Sequence, residues 1–113
     1  MADGRLPTAL WVDAHLATLT RDAVPYYFIQ KGNHSSGLLL LKLNGLKGHV
    51  RLLMQERDFM EDKLVWAAAL GEDMVEERQA DEYIEKAIHR DPDLWVLEIE
   101  DEGLVNPFED SVS

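Results

Sequence analysis

The sequence predicts an α+β fold, a two-layer sandwich of a mostly antiparallel sheet with four to five strands and two helices, in the order α-β-β-β-β-α-β. Two observations predict it. Apolar residues recur at helical spacing near the start of the chain and again near residue 80. The other segments are short, rich in branched and aromatic residues, and bounded by turn formers. We expect both helices on one face of the sheet.

The first helix is predicted over residues 7–21. Pro7 suits a first helical turn, because its missing N–H needs no partner there. Trp11 and Leu16 lie on one broad apolar face, as the spacing of about 100° per residue requires. The helix is expected to end before Pro25, because the residue that precedes a proline disfavours helical geometry.

Three strands are predicted next, over residues 26–30, 38–44 and 49–56. The first is rich in aromatic and branched residues, and the third alternates between apolar and polar residues. The second starts apolar on both faces, which predicts a central position in the sheet. Turn formers at residues 31–37 and 44–48 join the three strands into a meander of hairpins.

A fourth strand is predicted over residues 63–70, although its alanines prefer helices. Asp73 and Glu76 then have the spacing of a capping box, which begins a second helix that runs to about His89. The last strand is predicted over residues 94–100. Because it returns to the sheet after a helix, it can pair parallel to a neighbour.

Residues 1–101 are expected to form a single domain, since 113 residues suit one domain of ordinary size. Residues 102–113 are expected to form an acidic, mobile C-terminal tail. Three apolar residues in this tail, Leu104, Val105 and Phe108, can pin part of it to the domain.

The chain has 22 acidic and 11 basic residues, a net charge of −11, and no cysteine. This charge argues against nucleic acid as a partner, because nucleic-acid binders need a basic face. The lack of cysteine excludes disulfides, thiol nucleophiles and cysteine zinc sites. The N-terminus lacks the pattern of a secretory signal, and no apolar run approaches the roughly 20 residues that cross a bilayer. We therefore expect a cytoplasmic protein with no membrane partner.

Charge is distributed unevenly along the chain. Residues 1–55 contain six basic and three acidic side chains, whereas residues 56–113 contain five basic and nineteen acidic ones. The acidic half can bind a basic partner or the first half of another copy. The simpler interpretation, which we favour, is that the acids coat a solvated helix and the tail.

The four histidines of the sequence predict no metal site, because no two have the spacing of a helical metal pair. His15 lies on the apolar face of the first helix, so we interpret it as a core or interface histidine. His34 lies in a Gly-Asn-His-Ser-Ser-Gly loop. Such a loop can present backbone N–H groups to an anion, but a plain connection between strands is favoured.

Acidic residues alternate at Glu98, Glu100 and Glu102 along the last strand. Two such carboxylates can bind Mg²⁺ or Mn²⁺ or act as an acid/base pair in a phosphoester-type enzyme, although a solvent-facing stripe is the favoured interpretation. The element order is also that of restriction-endonuclease-like folds. Their pattern of an acid and Glu-x-Lys is matched only by Asp58 and residues 61–63, in a polar connection.

Aromatic residues are the remaining candidates for binding. Trp11, Trp66 and Trp95 are expected to be core or interface anchors. Tyr26 and Phe28 suggest a second alternative, stacking of single-stranded nucleic acid on the sheet, which the net charge opposes.

Three stretches resemble a small bacterial family, mainly from alphaproteobacteria, whose members have about this length. They are residues 5–12, residues 36–43 and residues 91–101, of which the last, Asp-Pro-Asp-Leu-Trp-Val-Leu-Glu-Ile-Glu-Asp, is the most specific. The resemblance implies a bacterial cytoplasmic protein of unassigned function. No activity, cofactor or site residue comes with it.

Because no catalytic constellation stands out, the sequence predicts a non-enzymatic protein–protein interaction module with no cofactor and no metal. Its partner is another protein or a second copy in a homodimer. The residues expected to contribute to binding are Trp11, His15, His34, Trp95, Glu98 and Glu100.

Overall fold

A computed structural model describes residues 7–108 of the chain. Its elements are α1 (Thr8–Arg21), β1 (Tyr26–Gln30), β2 (Leu39–Asn44), β3 (His49–Asp58), β4 (Lys63–Ala68), β5 (Val75–Glu76), α2 (Glu77–Arg90) and β6 (Trp95–Glu100). The predicted α+β class and element order are confirmed, with the two-residue strand β5 in addition. Neither helix in this range is long and apolar enough to cross a membrane.

The strands form one mixed sheet in the order β1-β6-β2-β3-β4, and β5 pairs with β3 next to β4. Strand β6 runs antiparallel to β1 and parallel to β2, so the predicted parallel return of the last strand is confirmed. The expected hairpin between β2 and β3 is confirmed, but the one between β1 and β2 is corrected, because β6 lies between these two strands. The segment 31–37 therefore connects two strands that do not pair with each other.

The two helices lie on opposite faces of the sheet, which corrects the expected two-layer arrangement with both helices on one face. Leu39, Leu41 and Leu43 of β2 pack in the cluster that includes α1, whereas Leu40 packs in the cluster that includes α2. Every residue of β2 is buried. Because successive side chains of a strand point to opposite faces, a strand buried at every position needs a cover on both.

The α1 layer also includes the end of the described chain. Phe108 is 1% exposed, and its ring centroid lies 5.0 Å from that of Trp11 and 6.3 Å from that of Trp66. Thus part of the segment expected to be a tail packs in the core. The boundary at residue 101 stays a prediction, and residues 109–113 lie outside the described range.

Backbone carbonyls of the loop 31–37 accept hydrogen bonds from the first N–H groups of α1. Thr8 donates to the carbonyl of Ser35 at 3.4 Å, and Ala9 donates to the carbonyl of His34 at 2.9 Å. These bonds satisfy donors that a helix leaves unpaired at its start. The loop 31–37 therefore fixes the N-terminal end of α1.

Helix α2 begins later than expected. The N-cap is Glu76, whose N–H donates to the side-chain oxygen of Gln79 at 3.2 Å, and the reciprocal bond completes a capping box. The box predicted at Asp73 and Glu76 is therefore corrected by one turn. Val75, which the predicted box would place in the helix, pairs with β3 and so belongs to the sheet.

Candidate interaction site

The structure places the six residues predicted for binding in three separate regions. They lie on α1, at the loop that caps α1 and the start of β6 that bonds to it, and on the α2 side of β6. They do not converge on one site. The members are Trp11 and His15, then His34 and Trp95, then Glu98 and Glu100.

Trp11 and His15 contribute to the packing of α1. The Nδ1 atom of His15 lies 2.8 Å from the carbonyl oxygen of Trp11. Because a carbonyl only accepts, this nitrogen carries the proton. The His15 ring also lies 4.8 Å from the ring of Phe108, centroid to centroid. His15 is thus a half-buried histidine with a bonded ring nitrogen and an aromatic neighbour.

The loop that contains His34 bonds to itself and to β6. The Nε1 atom of Trp95 donates to the carbonyl of Asn33 at 2.9 Å. The Asn33 side-chain oxygen accepts the N–H groups of Ser35 and Ser36 at 3.0 and 3.1 Å. Two of the N–H groups that an anion nest would need are therefore already bonded within the loop. The arrangement fits a structural connection.

Glu98 belongs to a polar cluster built around a buried lysine. The Nζ atom of Lys42 lies 2.7 Å from Glu77 Oε2, 2.7 Å from Asp81 Oδ1 and 3.6 Å from Glu98 Oε2. The Asn44 amide also donates to Glu98 at 2.9 Å. Lys42 is 3% exposed, and the Glu98 side chain is 17% exposed. Glu98 therefore faces its partners beneath α2 rather than open solvent.

The cluster keeps Lys42 protonated at neutral pH. Burial alone would lower the pKa of Lys42, but hydrogen bonds to Asp81 and Glu77, together with the charge of Glu98, outweigh it and raise the pKa above its ordinary value. A lysine that stays protonated is not a nucleophile at neutral pH. Within residues 7–108, no group of three or more metal-ligating side chains is placed to hold a metal ion.

Glu100 lies beside an exposed tyrosine at the β1 edge of the sheet. The Tyr27 hydroxyl donates to Glu100 Oε1 at 3.3 Å. The negative charge of Glu100 is the main cause that raises the pKa of Tyr27 above its ordinary value. Tyr27 and Ile29 are 51% and 40% exposed, so this strip of β1 remains open to solvent.

The residues that suggested a restriction-endonuclease-like centre lie at the end of β3, at the start of β4 and in the turn between them. The Asp58 carboxylate accepts the N–H groups of Met60 and Glu61 at 3.0 and 3.3 Å. The Lys63 ammonium lies 3.8 Å from the Glu61 carboxylate. These contacts are those of a charged hairpin turn on the surface.

The aromatic residues that suggested nucleic-acid stacking are partly covered. Tyr26 and Phe28 meet edge to face, with ring centroids 6.4 Å apart. Phe28 also lies 6.0 Å from the Trp95 ring, and the Lys31 ammonium stands 5.0 Å from the centre of the Phe28 ring. Both residues are half-buried against the cluster that includes α1.

Strand β4 forms a free edge of the sheet, because in the described range it pairs only with β3. The pairing is regular over six positions. The N–H of Ala69 donates to the carbonyl of Leu52 at 2.9 Å, which fixes the alternation of inward and outward groups. The backbone N–H groups of Leu64, Trp66 and Ala68 consequently point away from β3. This row of donors and the carbonyls beside it make up the candidate site.

The free edge is apolar and flanked by exposed apolar residues at both ends. Residues 64–69 carry no charge, and all are half-buried. At the hairpin tip that precedes β4, Phe59 and Met60 are 84% and 94% exposed. At the other end, Leu70 and Met74 are 38% and 37% exposed. Contiguous exposed apolar surface is typical of protein interaction sites.

Sequence reasoning missed both the lysine cluster and the free edge. A lysine that follows three leucines inside a strand is a signal for the first, because such a lysine needs carboxylate partners when buried. The uncharged run 64–70 is a signal for the second. Neither signal shows which strand ends the sheet or which helix covers β2.

Comparison with known proteins identifies a family without an assigned function. The model of a family described as "Protein of unknown function (DUF1491)" matches residues 6–109. No protein of curated function matches the chain.

Solved structures of similar fold come from two alphaproteobacteria. A crystal structure of a DUF1491 family protein from Caulobacter crescentus CB15 has a TM-score of 0.75 and 28% identity, over 87% of this chain and 90% of that chain. An NMR structure of a DUF1491 family protein from the same organism has a TM-score of 0.75 and 27% identity, over 90% and 91%. A solution structure of a protein from A. tumefaciens has a TM-score of 0.66 and 20% identity, over 96% and 99%, and shares the fold. The resemblance to a small alphaproteobacterial family is confirmed.

Proposed function

The chain belongs to the DUF1491 family of proteins of unknown function, and we propose that it is a protein–protein interaction module whose partner binds along the free edge of β4. The observation that carries the proposal is the uncharged, half-buried run 64–69 on an unpaired edge. The residues on which the proposal depends are therefore those of the β3–β4 hairpin.

An unpaired strand edge offers a ready template for another strand. Proteins normally protect such edges with charges, prolines or bulges, because exposed N–H and C=O groups otherwise recruit other chains. Strand β4 has a charge only at its first residue, Lys63, and has no proline. Main-chain hydrogen bonds to an added strand give affinity, and the side chains on either face give specificity.

The other edge of the sheet is protected by such a device. Strand β1 pairs with β6, and the register shifts between Phe28 and Gln30, which is the irregularity of a bulge. A bulge twists an edge and interrupts the row of groups that a new strand would need. The β1 edge also lies next to the carboxylates of Glu98 and Glu100. Strand β4 is the more receptive of the two.

The hairpin tip extends the proposed surface. Phe59 and Met60 are large apolar side chains that water surrounds in the isolated chain. Two ion pairs lie close to the tip, since Arg57 lies 3.3 Å from Asp62 and Lys63 lies 3.8 Å from Glu61. A tip with apolar side chains between paired charges suits insertion into a shallow apolar pocket of the partner.

Affinity purification of the tagged chain from alphaproteobacterial cells tests the proposal. Leu64→Pro removes an N–H that points away from β3, so it blocks strand addition and keeps the β3–β4 ladder. Leu64→Ala is the matched control, because it shortens the same side chain but keeps the N–H. We expect proteins, including further copies of the chain, to be retained by wild type and Leu64→Ala and lost from Leu64→Pro. Equal retention by all three would refute the proposal.

The proposal gives the protein no catalytic role, and the cytoplasmic location expected from the sequence stays a prediction. Fractionation of cells that produce the tagged chain tests the location. Recovery with the membrane or secreted fraction would contradict it.

A further inference from the structure

We infer that the partner at β4 is a second copy of this chain, paired antiparallel with the first about a two-fold axis at Val65. The inference rests on the proposed function and names its partner. Three features of the hairpin carry it, namely the direction of the backbone groups, the position of the exposed apolar residues and the local charge.

Backbone alternation suits a two-fold axis at Val65. The N–H and C=O groups of Val65 point toward β3, so two copies of this residue form a pair without hydrogen bonds between them. Leu64 of each copy then lies opposite Trp66 of the other. These two residues direct their N–H and C=O groups outward, and each pair exchanges both hydrogen bonds. All four outward groups of Leu64 and Trp66 in each copy are satisfied.

The same register covers the exposed apolar residues at the ends of β4. With the axis at Val65, the two copies of β4 run side by side in opposite directions, so the hairpin tip with Phe59 and Met60 in one copy lies near Leu70, just beyond the far end of β4, in the other. Together with Met74, these are four of the large apolar side chains that the single chain leaves exposed, at 84%, 94%, 38% and 37% for Phe59, Met60, Leu70 and Met74. The hairpin tip of each copy therefore packs against the far end of β4 in its mate.

Charge also favours this edge as the contact between two copies. Each copy has a net charge of −11, so copies repel one another least where the strands that meet carry no charge themselves. Residues 64–69 are uncharged, and the flanking Asp62 and Asp73 carboxylates lie 3.3 Å from Arg57 and Arg51 respectively. The outer side of α2, with exposed Glu82 and other acids, would instead bring like charges together.

Cysteine cross-linking tests the register, because the natural sequence has no cysteine to interfere. In Val65→Cys the two Cα atoms are expected about 4.5 Å apart, the spacing of a pair without hydrogen bonds and within disulfide range. In Ala67→Cys they are expected about 13 Å apart, four residues along a strand, which is too far. We expect a disulfide-linked dimer from Val65→Cys and none from Ala67→Cys, although both side chains lie on the same face of β4.

A mixture of Lys63→Cys and Ala67→Cys chains gives a second test of the same register. Residue 63 of one copy lies opposite residue 67 of the other, so the mixture forms a linked heterodimer that neither chain forms alone. The mixture also tests the register if Val65→Cys fails to fold. Absence of a disulfide both in the mixture and in Val65→Cys would overturn the inference.

Light scattering over a range of protein concentration tests the dimer directly. We expect the mass of two copies for wild type and for Val65→Thr, and the mass of one copy for Val65→Lys, which places two like charges face to face at the axis. Circular dichroism checks that Val65→Lys is folded. A dimer unaffected by Val65→Lys, or a wild type that remains a monomer at every concentration, would overturn the inference.

The purification with Leu64→Pro separates failure of the inference from failure of the proposed function. If wild type remains a monomer and yet retains other proteins that Leu64→Pro loses, the edge binds a foreign strand and only the inference falls. If Leu64→Pro and Leu64→Ala retain the same proteins, the proposed function itself falls.

Discussion

The Nζ atom of Lys42 lies 2.7 Å from a carboxylate oxygen of Glu77, and this contact ties the central strand β2 to the first turn of α2. Asp81, one turn further along the helix, lies at the same distance from the ammonium group. The apolar stripe of α2 rests on the sheet beside this ion pair. These ion pairs of the lysine therefore fix the position of α2 along β2.

Replacement of Lys42 by methionine is expected to destabilise the protein by about 3 kcal/mol, the lower end of the range for breaking a buried ion pair. The lower end applies because Glu77 and Asp81 can turn toward water, whereas Glu98 keeps only Asn44 as a partner. Urea unfolding measures the change. Lys47→Met, at an exposed lysine, is the matched control and should have little effect. Equal stability of the two variants would contradict the account.

The stability that Lys42 contributes should disappear at high pH. The pKa of Lys42 is raised in the folded state above the ordinary value of 10.5, so folding favours the protonated amine. This contribution is fully present below pH 10.5 and is lost as the pH rises through the folded-state pKa. The difference in unfolding free energy between wild type and Lys42→Met should therefore shrink above pH 10.5.

The pH measurement needs a control, because Tyr27 is a second group whose pKa is raised. The raised pKa of Tyr27 likewise gives a contribution that is lost at high pH. Both proteins are therefore compared in a Tyr27→Phe background. A difference between them that stays constant across this pH range would show that the amine of Lys42 does not control it.

Truncation of a core residue near the end of the described chain should be costly. Phe108→Ala is expected to lower the unfolding free energy by about 3 kcal/mol or more, the usual cost of emptying a buried aromatic site. Val105→Ala is the matched control in the same segment, because Val105 is 62% exposed. If the two variants lose the same small amount of stability in urea, the C-terminal segment contributes nothing to the core.

Two prolines in neighbouring positions test the alternation of backbone groups on β4. Val65→Pro removes an N–H that the alternation directs to the carbonyl of Glu56, so it should cost at least about 1 kcal/mol more than Leu64→Pro, whose N–H points outward. Thermal or urea unfolding of the two variants measures the difference. A greater loss in Leu64→Pro would reverse the assignment of inward and outward groups.

Much of the fold is predictable from local pattern. The alternation of Trp95, Leu97 and Ile99 with polar or smaller residues predicts β6, and the apolar spacing along α1 and α2 predicts both helices. The pairing order is not predictable in this way, since no local signal inserts β6 between β1 and β2. The presence of a layer on each face of the sheet, however, is predictable from the sequence. A strand apolar on both faces, as in residues 38–41, implies a cover on each face.

The candidate site depends on information that a single sequence lacks. The alternation of Glu98 and Glu100 favours a solvated stripe, but α2 crosses above Lys42 and brings Glu98 into a charged cluster. Residues 63–70 are correctly predicted as a strand apart from the last two, which form a turn. That this strand ends the sheet follows only from the tertiary pairing, and the binding role that we propose for it rests on that position.

The most direct test of the account is amide hydrogen exchange at β4, measured residue by residue over a range of protein concentration. The Val65 and Ala67 amides bond within the sheet and should exchange slowly throughout. The Leu64 and Trp66 amides point away from β3, so we predict slow exchange at high concentration, where the second copy covers the edge, and faster exchange on dilution. Rapid exchange of both amides at every concentration, with Val65 and Ala67 still protected, would contradict binding of a second copy along this edge.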